Sequence, residues 1–467
     1  MTALDPALTS GSITRSVWRV AWPVVLLNLV NGLHGLVDHL LVGNFVPSET
    51  NEANAGIGVA WQLFLVIVVF MASLLQGMNV LVARYTGRQD REMVSMIVYQ
   101  TFLVSAIILV PVIAPLGYFM APRLLEWFNA TPGVQTHALP YMRILFTCGA
   151  PLFIAFLLTG AMQSSGNPKI PLALGVLTTA LNVILSAYFI IVLHLGAAGA
   201  ALGTCLAPCI SLACAFVIIL RGKTVIALPK HMSLKPDLRI IAAVARIGIP
   251  TGLQSVAMNV GAALLLGIIG RVEHSAAAQA AYTICYTQLF SLVLWTSFGL
   301  RVAAATVIGH NIGADKMARG RRGVYIAAAM GLAAACALGI LYWTLPRPLL
   351  ALFDATGQAI TQYGVSLLRY LSLSGLAFVL GLTFTGGLQG AGDTKNPMYI
   401  AIITQIGVLL GICWIAIALH RLSTDLIWSA ILVSHISRFL LTYAVFRRGR
   451  WATIRLEIAR THTAPNA

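Results

Sequence analysis

Charge is scarce in this sequence. Only 9% of the 467 residues are charged, whereas 58% are hydrophobic and the mean hydropathy is +0.86. A soluble globular protein carries about 25% charged residues, so the composition excludes that class and predicts a polytopic membrane protein. The seven cysteines all lie in apolar segments without Cys-x-x-Cys spacing or histidine partners. We therefore expect neither a metal site nor a disulfide.

Acidic residues are fewer than basic ones, with 14 Asp and Glu against 30 Lys and Arg, for a net charge of +16. The basic residues are spread over short loops without interleaved aromatics, which argues against a nucleic-acid partner. They are concentrated in alternate connections, and cytoplasmic loops hold such an excess. We expect a multi-pass protein of the inner (plasma) membrane with both termini in the cytoplasm and an even number of spans.

Long apolar runs predict the spans directly. Twelve are expected, at about residues 15–43, 55–83, 93–120, 137–164, 168–194, 196–220, 239–270, 276–309, 318–345, 360–390, 394–420 and 426–447. The predicted domains follow from them: an N-lobe over residues 1–220, a cytoplasmic linker over 221–238, a C-lobe over 239–447 and a basic cytoplasmic tail over 448–467.

The two halves of the chain repeat each other. T-G-A-M-Q-S-S-G-N-P-K-I-P, from Thr159, matches T-G-G-L-Q-G-A-G-D-T-K-N-P, from Thr385. The distance along the chain from Thr159 to Thr385 is called the repeat offset below. Six spans in each copy give both copies the same orientation, with substrate expected near the midplane. The predicted fold class is an all-α integral membrane protein with twelve transmembrane helices in two parallel six-helix repeats, forming two lobes around a central cleft.

One acidic residue breaks the pattern of the others, which lie in predicted loops or tails. Asp38 falls inside the first span and shares a helix face with Asn31 and His34. A carboxylate at this depth costs at least about 2.5–3.5 kcal/mol and commonly marks an ion, proton or substrate path. The alternative is a protonated Asp that hydrogen-bonds for packing. The second copy has no acid within its spans, so ion coupling is expected in the N-lobe.

Together these features resemble the multidrug and toxic compound extrusion (MATE) transporters. The resemblance covers nearly the whole chain and rests on G-L-V-D-H-L-L-V-G in span one, G-x-x-x-x-x-M from Gly87 and the paired G-x-x-K-x-P loops from Gly166 and Gly392. It implies export of organic cations or other amphiphiles in exchange for protons or sodium, without a cofactor. The pattern is closer to the N-lobe-Asp, DinF-like branch than to the NorM branch.

The resemblance also implies an ion-coupling site in the N-lobe. Asp38, Tyr141, Asn182 and Thr204 match the family pattern, while Ser186 stands where an Asp is expected. This replacement favours a single titrating carboxyl over a two-carboxylate sodium site. Burial favours the protonated form of a carboxyl group and a bound cation favours its ionised form, so proton and substrate should compete there.

Further residues are candidates for supporting roles. His34 is a possible proton relay, with helix packing as the alternative. Aromatic and amide side chains suit a cleft for amphiphilic cations, and the candidates are Asn31, Gln62, Gln254, Asn259, Tyr282 and Tyr286. The same residues also fit plain helix packing. Arg301 either snorkels to the cytoplasmic end of span eight or counters an anionic group of the substrate.

Three rival functions remain. A lipid-linked precursor flippase of the same superfamily should have more cationic residues in its cleft, and only Arg301 and Arg369 are candidates. A membrane-embedded transferase usually needs further acids or metal ligands, which the pattern lacks, so we expect no enzyme. A channel explains the duplicated lobes less well. The expected partners are a small organic cation or amphiphile and the lipid bilayer, with the protein itself a monomer.

Overall fold

The computed structural model describes residues 8–45, 50–128, 130–227, 234–353 and 357–458, without the side chains of residues 33–54 and 65–66. Within these ranges the regular structure is helical throughout. The α-helices are α1 Ile13–Phe45, α2 Thr50–Gly87, α3 Arg91–Ile108, α4 Ala114–Trp127, α5 Pro132–Cys148, α6 Ala150–Ser164, α7 Lys169–Ala187, α8 Gly196–Leu220, α9 Leu238–Ile269, α10 Ser275–Tyr282, α11 Ser291–Gly313, α12 Met317–Thr344, α13 Pro346–Ala351, α14 Gln358–Gly390, α15 Lys395–Ile402, α16 Gly411–Ala418 and α17 Thr424–Arg448.

These helices account for the twelve predicted spans. Among the described residues, ten helical stretches are long and apolar enough to cross a membrane. The pair α5 and α6, bent by 50° around Gly149, makes an eleventh, and α1 covers the first predicted span. Four spans contain a π-helical segment, at Leu109–Ile113, Tyr188–Val192, Thr283–Leu289 and Ile403–Leu410. The hydropathy pattern does not predict these wide turns, which are frequent at functional sites.

The internal repeat is also present in the backbone. Three pairs of residues in the left-handed region are each separated by the repeat offset: Gln89 (φ 62°) and Asp315 (57°), Gly166 (90°) and Gly392 (96°), and His194 and His420 (both 53°). Such residues end helices by turning the chain so that the last carbonyls are satisfied. The same helix ends therefore recur in both copies, which confirms the two six-helix repeats.

The chain forms two compact units whose bounds differ from the predicted lobes. The first contains Val30–Ile249 and the segment that begins at Arg455, and the second contains Pro6–Leu29 and Pro250–Ile454. Each of α1 and α9 thus contributes its two ends to different units. Among the described residues, one apolar core forms in the first unit and two form in the second.

Close backbone packing explains the exchanged segments. A Cβ on Gly77 would lie 2.1 Å from the Val244 carbonyl oxygen, so the start of α9 packs tightly on α2 in the first unit. The described residues of the predicted linker belong to this unit as well, and the amide of Ala227 donates to Ser95 Oγ at 3.2 Å. A lobe boundary at residues 221–238 therefore does not coincide with a boundary of the compact units.

Candidate ion-coupling and substrate sites

The central sequence prediction falls on α1. Asp38 and the candidate relay His34 belong to this helix, but their side chains lie outside the described residues. Asn31 is described and half-buried in the first unit. The ion-coupling roles of Asp38 and His34 stay predictions.

Three residues of the predicted ion-coupling site meet between α7 and α8. Asn182 and Ser186 are one turn apart on α7, and Thr204 lies on α8. The Asn182 amide nitrogen donates to Thr204 Oγ1 at 3.2 Å and to Ser186 Oγ at 3.4 Å. All three side chains are buried, and Asn182 Oδ1 has no hydrogen-bond partner among the described residues. Because a buried acceptor without a partner is costly, it marks a place for a further donor or cation.

A glycine allows this close approach. Gly203 precedes Thr204 on α8, and a Cβ built on it would lie 2.2 Å from Ser186 Oγ and 2.8 Å from the Ser186 amide nitrogen. Any side chain here would push α8 away from α7. Gly203 therefore sets the short distance between Asn182 and Thr204. Gly203 was not predicted from the sequence, although its place directly before Thr204 could have indicated it.

Tyr141, the remaining predicted member, is buried on α5 with 2% of its surface exposed. The next turn of α5 approaches α8, because Cys205 Sγ lies 3.9 Å from the Ile144 carbonyl oxygen. The helix that carries Tyr141 is thus packed against the helix that carries Thr204.

The candidate cleft residues have different surroundings within their own units. Gln62 and Asn259 are exposed, and the Asn259 amide donates to the Ser255 carbonyl of its own helix at 2.9 Å. Tyr282 is buried and stacks on Tyr286, with ring centroids 5.0 Å apart. Gln254 is buried too. Whether these residues line one cleft stays a prediction.

Gln254 belongs to a polar network that the sequence analysis missed. Gln389 on α14 is fully buried and donates to Gln254 Oε1 at 3.1 Å, while it accepts a bond from Arg301 Nη1 at 3.0 Å. Arg301, which is half-buried, therefore bonds within its own unit. Gly386 and Gly390 bring α14 onto α11, since a Cβ on Gly386 would lie 2.2 Å from the Arg301 carbonyl oxygen. The signal was the Gln that recurs in both copies of the repeated motif.

The family comparison agrees with the duplicated fold. The MatE family model matches residues 23–188 and again residues 250–415, one match in each copy. The chain belongs to the MATE family of membrane transporters, so it is a transporter and not an enzyme.

Similar proteins cover nearly the whole chain. The "probable multidrug resistance protein NorM" of Thermotoga maritima is 22% identical over 94% of this chain and 93% of its own length. The "multidrug export protein MepA" of Staphylococcus haemolyticus is 23% identical over 93% and 94%. A solved structure described as the outward-facing conformation of a multidrug resistance MATE family transporter is 19% identical. It covers 96% of this chain and 98% of its own, with a TM-score of 0.88.

Proposed function

We propose that this chain is a secondary active multidrug efflux antiporter that exports organic cations or other amphiphilic small molecules. Its substrates move outward in exchange for protons by alternating access. Membership of the MATE family and the similarity to multidrug export proteins support the transport class. We place the protein in the plasma membrane, with both termini in the cytoplasm.

The observation that carries the coupling site is the buried cluster of Asn182, Ser186 and Thr204. Its oxygen and amide groups form a buried polar patch between two helices, and Asn182 Oδ1 lacks a partner among the described residues. Asp38 supplies the titrating carboxyl group in this proposal, and Tyr141 supports the cluster. Protons are favoured over sodium because Ser186 takes the place of a second carboxylate, which a hard cation would prefer as a ligand.

The test is dye efflux from proteoliposomes under imposed gradients. The wild type should export a cationic dye when a proton gradient is applied and should not respond to a sodium gradient. Asp38→Asn should abolish the proton-driven efflux. Leu264→Asn, at the position of the second copy that the repeat offset aligns with Asp38, should leave it intact. Efflux by Asp38→Asn at the wild-type rate under a proton gradient would refute the assignment.

A further inference from the structure

Two arginines lie within the helices of the second unit, far from the helix ends. Arg301 on α11 and Arg438 on α17 are each at least ten residues from either end of their helix. At a rise of about 1.5 Å per residue this is about 15 Å. Arginine at membrane depth is rare and normally faces a partner or a functional cavity.

Among the described residues, the contacts of Arg301 are neutral. Its Nη1 donates to Gln389 and its guanidinium lies over the Phe298 ring, 5.4 Å from the centroid. Its Nε is buried without a hydrogen-bond partner among the described residues. The side chain is thus held in place by an amide while part of its donor capacity is unused.

Arg438 is held still more weakly. Only 5% of its surface is exposed, and Nη1 points at the sulfur of Met258, 3.1 Å away. A thioether is a weak acceptor. Met258 is one turn after Gln254 on α9, and Gln254 bonds the partner of Arg301. The same stretch of α9 therefore contacts Arg438 through Met258 and reaches Arg301 through Gln254 and Gln389.

The described part of the second unit supplies no counter-ion to this pair. Its described acids lie near helix ends, and two of them have other partners: Asp393 bonds Asn396, and Asp425 bonds Ser366. The one ion pair found among the described residues, between Arg88 and Glu457, belongs to the first unit. Arg438 is buried and Arg301 is half-buried. A positive charge held inside the unit without an anion is costly, and a bound anion would reduce that cost.

The surroundings fit an amphiphile that carries an anionic group. His435 lies three residues before Arg438 on α17, and its ring stacks on Phe290 with ring centroids 6.3 Å apart. The Tyr286 ring stacks between Tyr282 at 5.0 Å and Phe290 at 5.3 Å. Stacked aromatic rings and two guanidinium groups in the same unit offer apolar contact and charge-assisted hydrogen bonds together.

We propose that Arg301 and Arg438 bind the carboxylate or phosphate group of an exported amphiphile, with Gln389 and Gln254 positioning Arg301. The planar guanidinium fork matches both oxyanions. The claim that the ligand is exported rests on the proposed function. The claim that the ligand binds to these arginines does not depend on that function. A transport defect and a binding defect can therefore be told apart.

The test compares two dyes that differ at one group. Rhodamine 19 has a free carboxylate, and rhodamine 6G is its ethyl ester. Binding to the purified full chain is measured by fluorescence polarisation in nanodiscs of phosphatidylcholine. We expect Arg301→Gln and Arg438→Gln to weaken rhodamine 19 binding at least about 10-fold, the scale of one charge-assisted hydrogen bond, and rhodamine 6G binding less than about 2-fold.

Controls separate binding from folding and from surface charge. Arg369→Gln removes an exposed arginine of the same unit, which lies over Trp343, and should leave both dyes unaffected. Arg301→Lys and Arg438→Lys keep the charge and should retain part of the selectivity. Because each Gln variant removes an uncompensated buried charge, its thermal midpoint should equal or exceed that of the wild type; a lower midpoint would indicate a structural role instead.

Equal weakening of both dyes, or the same loss in Arg369→Gln, would overturn the proposal. Nanodiscs with added phosphatidylglycerol test a lipid headgroup as the source of the anion. In one outcome phosphatidylglycerol displaces rhodamine 19 from the wild-type protein, and it co-purifies with the wild-type protein but not with the Gln variants. The site then binds lipid, and the assignment to cargo is wrong. Unchanged rhodamine 19 binding in phosphatidylglycerol supports the cargo.

Discussion

In the first repeat the polar cluster between α7 and α8 is neutral, whereas the polar network of the second repeat includes two arginines. Aligning the copies by the repeat offset makes the difference clear. Arg301 and Arg438 correspond to Leu75 and Leu212 in the first copy, and Asn182 corresponds to Val408 in the second. The two copies therefore share a backbone but differ in the polar side chains that lie inside it. Duplication fixed the helix ends, and the side chains at membrane depth diverged.

The first prediction concerns an acid placed in the neutral cluster, at the position where the family pattern has an Asp. Ser186→Asp would bury a carboxylate beside Asn182 and Thr204, at a cost of several kcal/mol without a counter-ion. We expect a lower thermal midpoint in choline chloride and its partial recovery in sodium chloride. Ser186→Asn, which adds no charge, is the matched control. If the thermal midpoint of Ser186→Asp is the same in sodium chloride and in choline chloride, the cluster offers no cation site.

The second prediction breaks the cationic network at its amide. Gln389→Leu removes the acceptor of Arg301 and should cost about 1.5–3 kcal/mol, because hydrogen bonds to buried charges are strong. Gln163→Leu changes the corresponding residue of the first repeat, which is half-buried, and should cost less. Thermal unfolding of the two purified variants provides the measurement. Equal destabilisation would mean that the two copies use this glutamine in the same way.

The third prediction concerns helix spacing at the neutral cluster. Gly203→Ala places a methyl group where only 2.2 Å separates it from Ser186 Oγ, so we expect a loss of about 1–3 kcal/mol from overpacking. Gly58→Ala, on α2 with nothing within 4 Å, should be neutral or slightly stabilising because Ala favours helix over Gly. If both variants unfold at the same temperature, the close approach of α7 and α8 does not support the cluster.

The smallest expected effect lies near the end of the second span of each repeat. Tyr85 Oη accepts a bond from the Ile458 amide at 2.9 Å, and Asn311, the equivalent residue of the second copy, donates to the Leu8 carbonyl at 3.1 Å. Each of these residues thus holds one end of the described chain. Tyr85→Phe should cost about 0.5–1.5 kcal/mol and speed hydrogen exchange in the peptide around Ile458.

Tyr188→Phe changes an exposed tyrosine of the same unit and serves as the control for Tyr85→Phe. Exchange near Ile458 that is equal in the two variants would contradict a role for the Tyr85 hydroxyl in holding this segment.

Much of the fold was predictable because bilayer thickness sets the length of the apolar runs and the internal repeat can be read directly from the sequence. Apolar length predicted the spans, and the repeated motif from Thr159 and Thr385 predicted the duplicated helix ends. The units were not predictable in full, because the packing of Val244 against Gly77 depends on helices distant in sequence. Arg438 was missed for the same reason, because its neighbour Met258 comes from another helix.

Asp38 as the shared group for proton and substrate can be tested most directly by proton release. The measurement is the number of protons released when rhodamine 6G binds the purified wild type in weak buffer. At a pH where Asp38 is protonated in the dye-free protein, linkage predicts release of about one proton per dye. Asp38→Asn should release none, and Leu264→Asn should behave as the wild type. Wild-type proton release from Asp38→Asn would contradict competition at this carboxyl group.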